Sequence, residues 1–406
     1  MGRGNLCGAT GAIPRGLADV SVLVQTNPTA RTAAAVVVQV KGCRFAAGKY
    51  LNLIEEVVVE ETCGQLMPMA TVRLANPELA ITNDDVWEEG AEVSIETGFP
   101  TTGMVGRGKF ILSSPRFLFK GKPEILLVCF GEEMRLGQTE KRRAFKKKRD
   151  SEIAQEIASE HGFEAEIEST PLVHEQVIQA NESDYKFLCR RALLHGFMVF
   201  VRDGVLHFHK PRPEETSTRL VYREGQDSTL SSFDVRSKTF LRGAEWKVTA
   251  VDPLKLEVID EHSNDDLDEA TKKLIADTRN PRKWSEIVET EAGGRPMRFA
   301  VNHGHEQQLG QLKEQVQAYD EASRWVVQGK GTVFGLEQLK PNQVIELLGL
   351  GRHSGRYYLT KVTHRIRGGV YGIDFDVVRS FTGGTEGNRC QEQAVEPVRA
   401  GVVDLS

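Results

Sequence analysis

The chain of 406 residues has no long apolar run: the two longest, Ala33 to Val38 and Ile125 to Phe130, are six residues each. A membrane helix needs about 20, so no segment can cross a bilayer in that form. Arg3 lies near the start, but Pro14, Arg15 and several glycines break up the segment that follows. Without an apolar h-region, Sec-type export is not expected. Cysteine is scarce: Cys7, Cys43, Cys63, Cys129, Cys189 and Cys390 contain no C-x-x-C pair. That spacing argues against a zinc ribbon, a thioredoxin motif and a dense disulfide framework, and the thiols are expected to be reduced, as in a chain made in a cytosol. An excess of positive charge is also missing. Lys and Arg number 52 against 57 Asp and Glu, a net charge of −5, which is not the footprint of a protein that coats nucleic acid.

Catalytic signatures are absent as well. There is no G-x-S-x-G, P-loop or G-x-G-x-x-G, and Gly329-Lys-Gly331 and Gly349-Leu-Gly351 read as turn or bulge positions. Two histidine pairs stand out, His207 with His209 and His303 with His305. Spacing of i, i+2 on a strand puts two imidazoles on one face, and a third ligand would complete a zinc site. No H-E-x-x-H or cysteine companion accompanies either pair. They therefore read as the polar face of a hairpin and a turn before a helix. Glu132 and Glu133 are acids of the kind a cell-wall hydrolase would need, without a marked partner. No catalytic, cofactor-binding or metal-binding residue is assigned.

What is present is enough apolar residue, 40%, to fill the cores of about two to four domains. Residues 1–16 are glycine-rich and read as a flexible arm. From 17 to 138 the pattern is of short strands: Ala91, Val93, Ile95 and Thr97 alternate with Glu92, Ser94 and Glu96 between Gly90 and Gly98, and further strands are expected at Val57 to Val59, Thr71 to Leu74, Lys109 to Ser113 and Glu124 to Phe130. Many short strands with turn signals predict a barrel or sandwich.

A change comes at 139–149, where seven basic residues crowd together; this run reads as a linker, or as a patch facing an acidic partner. Asp150 or Ser151 can cap a helix bearing Ile153 and Ile157, with Gly162 as its stop, and Asn181 can cap a second helix that Gly196 ends. Phe197 to Arg202, Asp203-Gly204 and Val205 to His209 form the strongest hairpin signal. Residues 139–212 are thus a helix, helix, hairpin unit. Strands resume over 213–382 at Leu220 to Tyr222, Leu230 to Val235, Trp246 to Val251, Trp325 to Gln328, Val344 to Leu350, Tyr357 to Thr363 and Tyr371 to Val378. A helical insertion at about 261–324 interrupts them, and 383–406 reads as a tail. One echo links the two β regions. Gly108-Lys-Phe-Ile-Leu-Ser113 and Gly355-Arg-Tyr-Tyr-Leu-Thr360 carry glycine, base, aromatic, apolar, leucine and hydroxyl in the same order, the mark expected of an internal duplication.

The order of these features resembles the baseplate hub proteins of contractile phage tails, the late-control D family, and the related N-terminal module of type VI secretion spike proteins. The resemblance covers about residues 36–381. It is carried by Ser151 to Phe163, Gln179 to Leu188 and His195 to Phe197 with the following hairpin. Trp246 to Pro253 adds to it, as do the C-terminal series Gly335 to Pro341, Gly349 to Gly351, Ser354 to Tyr358, Val362 to His364 and Phe375 to Arg379. It implies an α+β, β-rich fold with two β-barrel-like tube domains and an α/β insertion between them.

It also implies a non-enzymatic homotrimer of pseudo-sixfold symmetry, joining a sixfold tail tube to a trimeric spike. Tape-measure and baseplate wedge proteins would be further neighbours, with no specific nucleic-acid partner and no stable membrane association. The place implied is the tail baseplate of a virion or phage-like particle assembled in the bacterial cytoplasm. No needle repeat follows Ser380, so the spike is expected to be a separate protein. Alternatives that the residues leave open are a tail-associated cell-wall hydrolase and a carbohydrate-binding β-protein.

Overall fold

The structure is a computed structural model and describes residues 33–45, 52–64, 66–101, 103–222, 229–237, 245–252, 257–262, 298–302, 325 and 327–379. The early region holds β1 (Ala35–Val40), β2 (Cys43–Arg44), β3 (Ile54–Thr62), β4 (Met69–Ala75), β5 (Glu92–Phe99), β6 (Gly103–Leu118) and β7 (Glu124–Gly131). The middle region runs α1 (Met134–Gly137), β8 (Glu140–Lys148), α2 (Asp150–Glu160), β9 (Glu164–Ile167), β10 (His174–Ser183), α3 (Asp184–His195), β11 (Met198–Arg202) and β12 (Val205–His209). The late region holds β13 (Glu214–Val221), β14 (Leu230–Ser237), β15 (Glu245–Asp252), β16 (Glu257–His262), β17 (Arg298–Asn302), β18 (Val327–Phe334), β19 (Gln343–Leu348), β20 (Gly355–Arg367) and β21 (Val370–Arg379). The fold is β-rich with few helices.

Alternation builds the strands. In β7, Ile125, Leu127 and Cys129 are fully buried, while Leu126, Val128 and Phe130 are only partly so. In β21, Tyr371, Ile373, Phe375 and Val377 point inward between Gly372, Asp374 and Asp376, as the period-two pattern predicts. Three apolar cores result. The first joins residues such as Val59, Val72, Phe110 and Leu127, the second Ile153, Phe187, Val199 and Phe208, and the third Leu220, Tyr357, Leu359 and Phe375. Fully burying one such side chain contributes about 1.5 to 3 kcal/mol.

The early strands and the late strands β13, β14 and β18 to β21 belong to one 13-stranded sheet, in the order β14-β18-β21-β20-β3-β4-β7-β6-β5-β1-β2, with β19 on both β20 and β13, while β16-β15-β17 form a separate sheet. The seam is β3 against β20, antiparallel, with Val59 opposite His364.

The middle region corrects several expectations. The basic run is no linker: it is β8, paired with β10 from Ser183↔Glu140 to His174↔Lys148. Asp150 is the first residue of α2 rather than its cap; Arg149 stands at that position, and Glu152 accepts its backbone N–H at 2.7 Å. Asn181 does not cap α3. With φ 53 it sits at an irregularity of β10, and Ser183 caps by accepting the Lys186 N–H at 3.3 Å. The hairpin is as expected: Asp203 (φ 52) and Gly204 (φ 79) make the tight turn between β11 and β12, both in the left-handed region that a type I′ turn requires. In the late region the interval 261–324, read as helical, contains β17, which pairs in parallel with β15. The helices expected within 263–297 and 303–324, the residues His303 and His305, and the two terminal arms lie outside the described residues.

Candidate functional site

Strand by strand, the early and late parts of the sheet repeat one plan. The early order β3-β4-β7-β6-β5 matches the late order β14-β18-β21-β20-β19, and within each the strands follow the same succession along the chain. The register repeats too. Leu112 faces Cys129 and the pairing then slips past Ser113; Leu359 faces Val377 and the pairing slips past Thr360. These are the last two positions of the six-residue echo. A second irregularity falls at Glu55 between β3 and β4 and at Ser231 between β14 and β18, again at matching places. Bulges are specific, positioned features of a fold, so two shared ones on matched strands mark the halves as copies of one unit. The outermost strands differ: β1 runs antiparallel to β5, whereas β13 runs parallel to β19.

Matching the halves exposes an asymmetry. On one edge of β20, Gly355 to Leu347 and Tyr358 to Val344 pair it with β19, and Lys361 to Arg367 pair it with β3. The corresponding edge of β6 pairs with β5 only as far as Ile111. From Ser113 to Leu118 it has no partner among the described strands. Pro115 and Phe117, which match the buried Val362 and His364, are left half-buried. The outer edge of β14 is likewise uncovered among the described strands. Phe233 and Val235 on it are half-buried, while their counterparts Val57 and Val59 on β3 are buried.

Behind the satisfied seam lies a buried polar lock. The Arg107 guanidinium donates to Thr97 Oγ1 at 2.7 Å, to the Tyr371 hydroxyl at 2.7 Å and to the Glu337 carbonyl, and it reaches Glu61 Oε1 at 3.4 Å. It thereby ties β3, β5 and β6 to β21 and to the loop before β19. Burial pushes the Glu61 carboxyl up, against the pull of Arg107. Burial, with Arg107 nearby, drives the His364 pKa down to about 2. A neutral His364 can accept the Tyr371 proton at Nδ1 (2.9 Å), leaving the Tyr371 oxygen to receive Arg107 and Thr97.

The acids Glu132 and Glu133 fix the middle region to the early one. Glu133 Oε1 accepts the Val201 N–H at 2.9 Å and Glu132 Oε2 the Gly204 N–H at 3.0 Å, so the pair grips the hairpin strand and its turn. Glu133 is fully buried, its Oε2 has no hydrogen-bond partner, and burial raises its pKa to about 7. Both acids line a cavity of about 220 Å³ together with Glu61, Arg107, Arg202 and Lys340. Their backbone partners are a clamp's geometry.

Three of the seven basic residues at 139–149 are neutralised from within. Lys141 contacts Asp184 (2.7 Å) and Glu160 (3.0 Å), Arg143 contacts the same two (2.8 and 2.5 Å), and Lys148 pairs with Glu156. Exposed Arg142, Lys146 and Lys147 alternate with them. At the other end of α2, buried Asp150 receives Arg191 (2.6 and 2.8 Å), His174 (3.0 Å) and His195 (2.8 Å). Burial alone would raise this carboxyl. The three donors outweigh it and hold the pKa well below the usual carboxylate range. None of these partners was legible from spacing, because each lies on another element.

His207 and His209 share one face of β12, as expected, but that face is not open: His209 is buried and His207 half-buried. Cys43, Cys63, Cys129 and Cys189 are free thiols, as the spacing predicted; Cys7 and Cys390 lie outside the described residues. Among the described residues no helix is long and apolar enough to cross a membrane.

The fold is that of phage tail proteins, as the resemblance to baseplate hubs implied. A 43 kDa prophage tail protein from Shewanella oneidensis matches with a TM-score of 0.63 at 11% identity, covering 86% of this chain and 99% of that one. A tail protein from Neisseria meningitidis matches with a TM-score of 0.59 at 14% identity, covering 86% and 97%. An Escherichia coli component of the type VI secretion system, described as structurally similar to bacteriophage tail proteins, matches with a TM-score of 0.50 at 10% identity, covering 86% and 78%. No curated protein matches in sequence. The family model described as the Alg8 N-terminal domain matches residues 35–368, and the chain belongs to that family.

Proposed function

We propose that the protein is a structural hub of a phage-type tail baseplate: a homotrimeric ring whose six β units imitate sixfold symmetry, seated between a sixfold tube and a separate trimeric spike. In this reading residues 17–138 and 213–382 are the two tube domains and 139–212 is the α/β insertion between them. Tube, spike, tape-measure and wedge proteins are its neighbours, and its place is the tail tip of a virion or a related injection particle.

One observation carries the reading. The chain contains two copies of one unit, and the joint made inside it by β3 on β20 has a matching half-joint left open at each end, on β14 and on β6. Repeating the internal joint between chains puts β14 of one copy beside Ser114 to Leu118 of the next. Transferring the β3–β20 register sets Val235 opposite Phe117 and Asp234 opposite Leu118, which places Asp234 diagonal to Arg116. Arg236 then faces Arg116, an unfavourable pair that Asp234 flanks. Three such joints alternate with three internal ones and close a ring by heterologous contacts. The edges that would otherwise invite uncontrolled pairing are consumed by closure.

Light scattering and electron microscopy of the purified chain with its tube and spike neighbours test this. A three-chain ring is expected. A protein that stays a monomer under those conditions overturns the hub, and muralytic activity of the pure protein would favour a hydrolase instead.

A further inference from the structure

The geometry points to a divalent transition-metal site, with zinc the best fit, formed by Glu166, His207 and His209 on the outer face of the β9–β12–β11 sheet. It is independent of the ring proposed above. β9 and β12 pair in parallel with Glu166 beside His207, and His209 follows two residues along the same face. One ligand atom from each residue lies within 4.8 Å of the others. His207 Nδ1 is 3.1 Å from Glu166 Oε2, yet it is a buried nitrogen that makes no hydrogen bond. Two ligands on a tetrahedral zinc with bonds of about 2.0 to 2.1 Å stand about 3.3 Å apart, so this contact has the spacing of a chelate.

The surroundings orient all three groups. His209 Nδ1 donates to the Lys210 carbonyl at 2.7 Å, which fixes the tautomer and presents Nε2 as the free lone pair, the arrangement that outer partners impose on ligating histidines. Arg212 holds Glu166 Oε1 at 2.6 Å, leaving Oε2 to face His207. Phe200 stacks on the His207 ring at 4.4 Å and stands edge-on to His209 at 5.9 Å, locking both rings against rotation. The other comparable cluster, Glu160 with His161 and Asp184, differs in kind: Lys141 and Arg143 already occupy its carboxylates.

Zinc chloride titrated calorimetrically into the full-length, tag-free, chelator-treated chain tests the site, with metal content measured after dialysis. One zinc per chain is expected. Loss of a ligand in His207→Ala or His209→Ala should weaken binding at least tenfold, and Glu166→Gln, at a half-exposed position, should do the same with the circular dichroism spectrum unchanged. His161→Ala should leave uptake as it is. Failure of the parent chain to take up stoichiometric zinc, or uptake that survives Glu166→Gln and the double His207→Ala, His209→Ala change, overturns the site.

Discussion

Val235 stands in the late part of the sheet where Val59 stands in the early part, yet Val59 is fully buried and Val235 only half so. The difference is one of neighbours. Val59 lies opposite His364 of β20, whereas Val235 faces Gly329 of β18 on one side and no described strand on the other. The same contrast separates Phe117 from His364, and both gaps close if one copy's β14 adds to the next copy's β6.

Pairing of this kind is tested by cross-linking. Val235→Cys combined with Phe117→Cys should yield two- and three-chain species under oxidation, since opposed strand positions bring Cβ atoms to about 4.5 to 5.5 Å, from which a small shift reaches the about 3.5 to 4.5 Å of a disulfide. Either cysteine alone should not. Exclusively intrachain products, or none, would refute the register. Replacing Val235 by Pro should abolish the assembly while each chain keeps its helical and strand content, because the change falls on an outermost strand.

The Arg107 lock makes a stability prediction. Arg107→Ala removes the donor that Glu61, Thr97 and Tyr371 share and leaves buried acceptors without it, so a loss of about 3 to 5 kcal/mol is expected. Arg107→Lys keeps the charge but not the planar fork and should fall between. Urea midpoints measure both.

Two buried groups should oppose each other in a pH series. Glu133, raised to about 7, binds its proton more tightly folded than unfolded. Its stabilising contribution is complete below about pH 4.5 and is lost as pH climbs through 7. Within that window Glu133→Gln should flatten a slope of about 1.4 kcal/mol per pH unit and still accept the Val201 N–H. His364, lowered to about 2, behaves in the opposite sense. Unfolded chains take up a proton below about pH 6.5 that the folded one refuses, so stability falls as pH drops through that value and His364→Gln should remove the fall. Denaturant midpoints between pH 4 and 8 separate the two; unchanged slopes in either variant would refute its assignment.

Gly331 permits a close approach. A Cβ there would stand 2.3 Å from the ring tip of Phe375, a side chain at the centre of the third core. Gly331→Ala should therefore cost about 1 to 3 kcal/mol through overpacking, read as a lower melting temperature with the assembly state intact.

Local signals were legible and distant ones were not. Asp203-Gly204 announced its hairpin because the turn needs left-handed backbone at both residues, and the glycine, base, aromatic echo announced a repeat whose bulges coincide. The basic strand escaped notice because the acids that neutralise part of it, Glu160 and Asp184, lie on α2 and α3. Glu132 and Glu133 gave no hint of their role, since the amides they hold belong to the hairpin some 68 to 72 residues on. Asn181 looked like a cap because sequence does not reveal that β10 continues past it to Ser183. In the same way, His207 and His209 were visible as a pair, but Glu166 joins them only through the parallel register of β9.

The β3–β20 seam has a kinetic consequence. Both strands belong to one molecule, so this joint forms at a rate fixed by the length of chain between them and is indifferent to dilution. A ring drawn from three such molecules needs two encounters and a closure, where six single-unit proteins would need five and a closure. Folding would supply every second contact beforehand, and partially assembled arcs would carry fewer loose ends than their unit count implies.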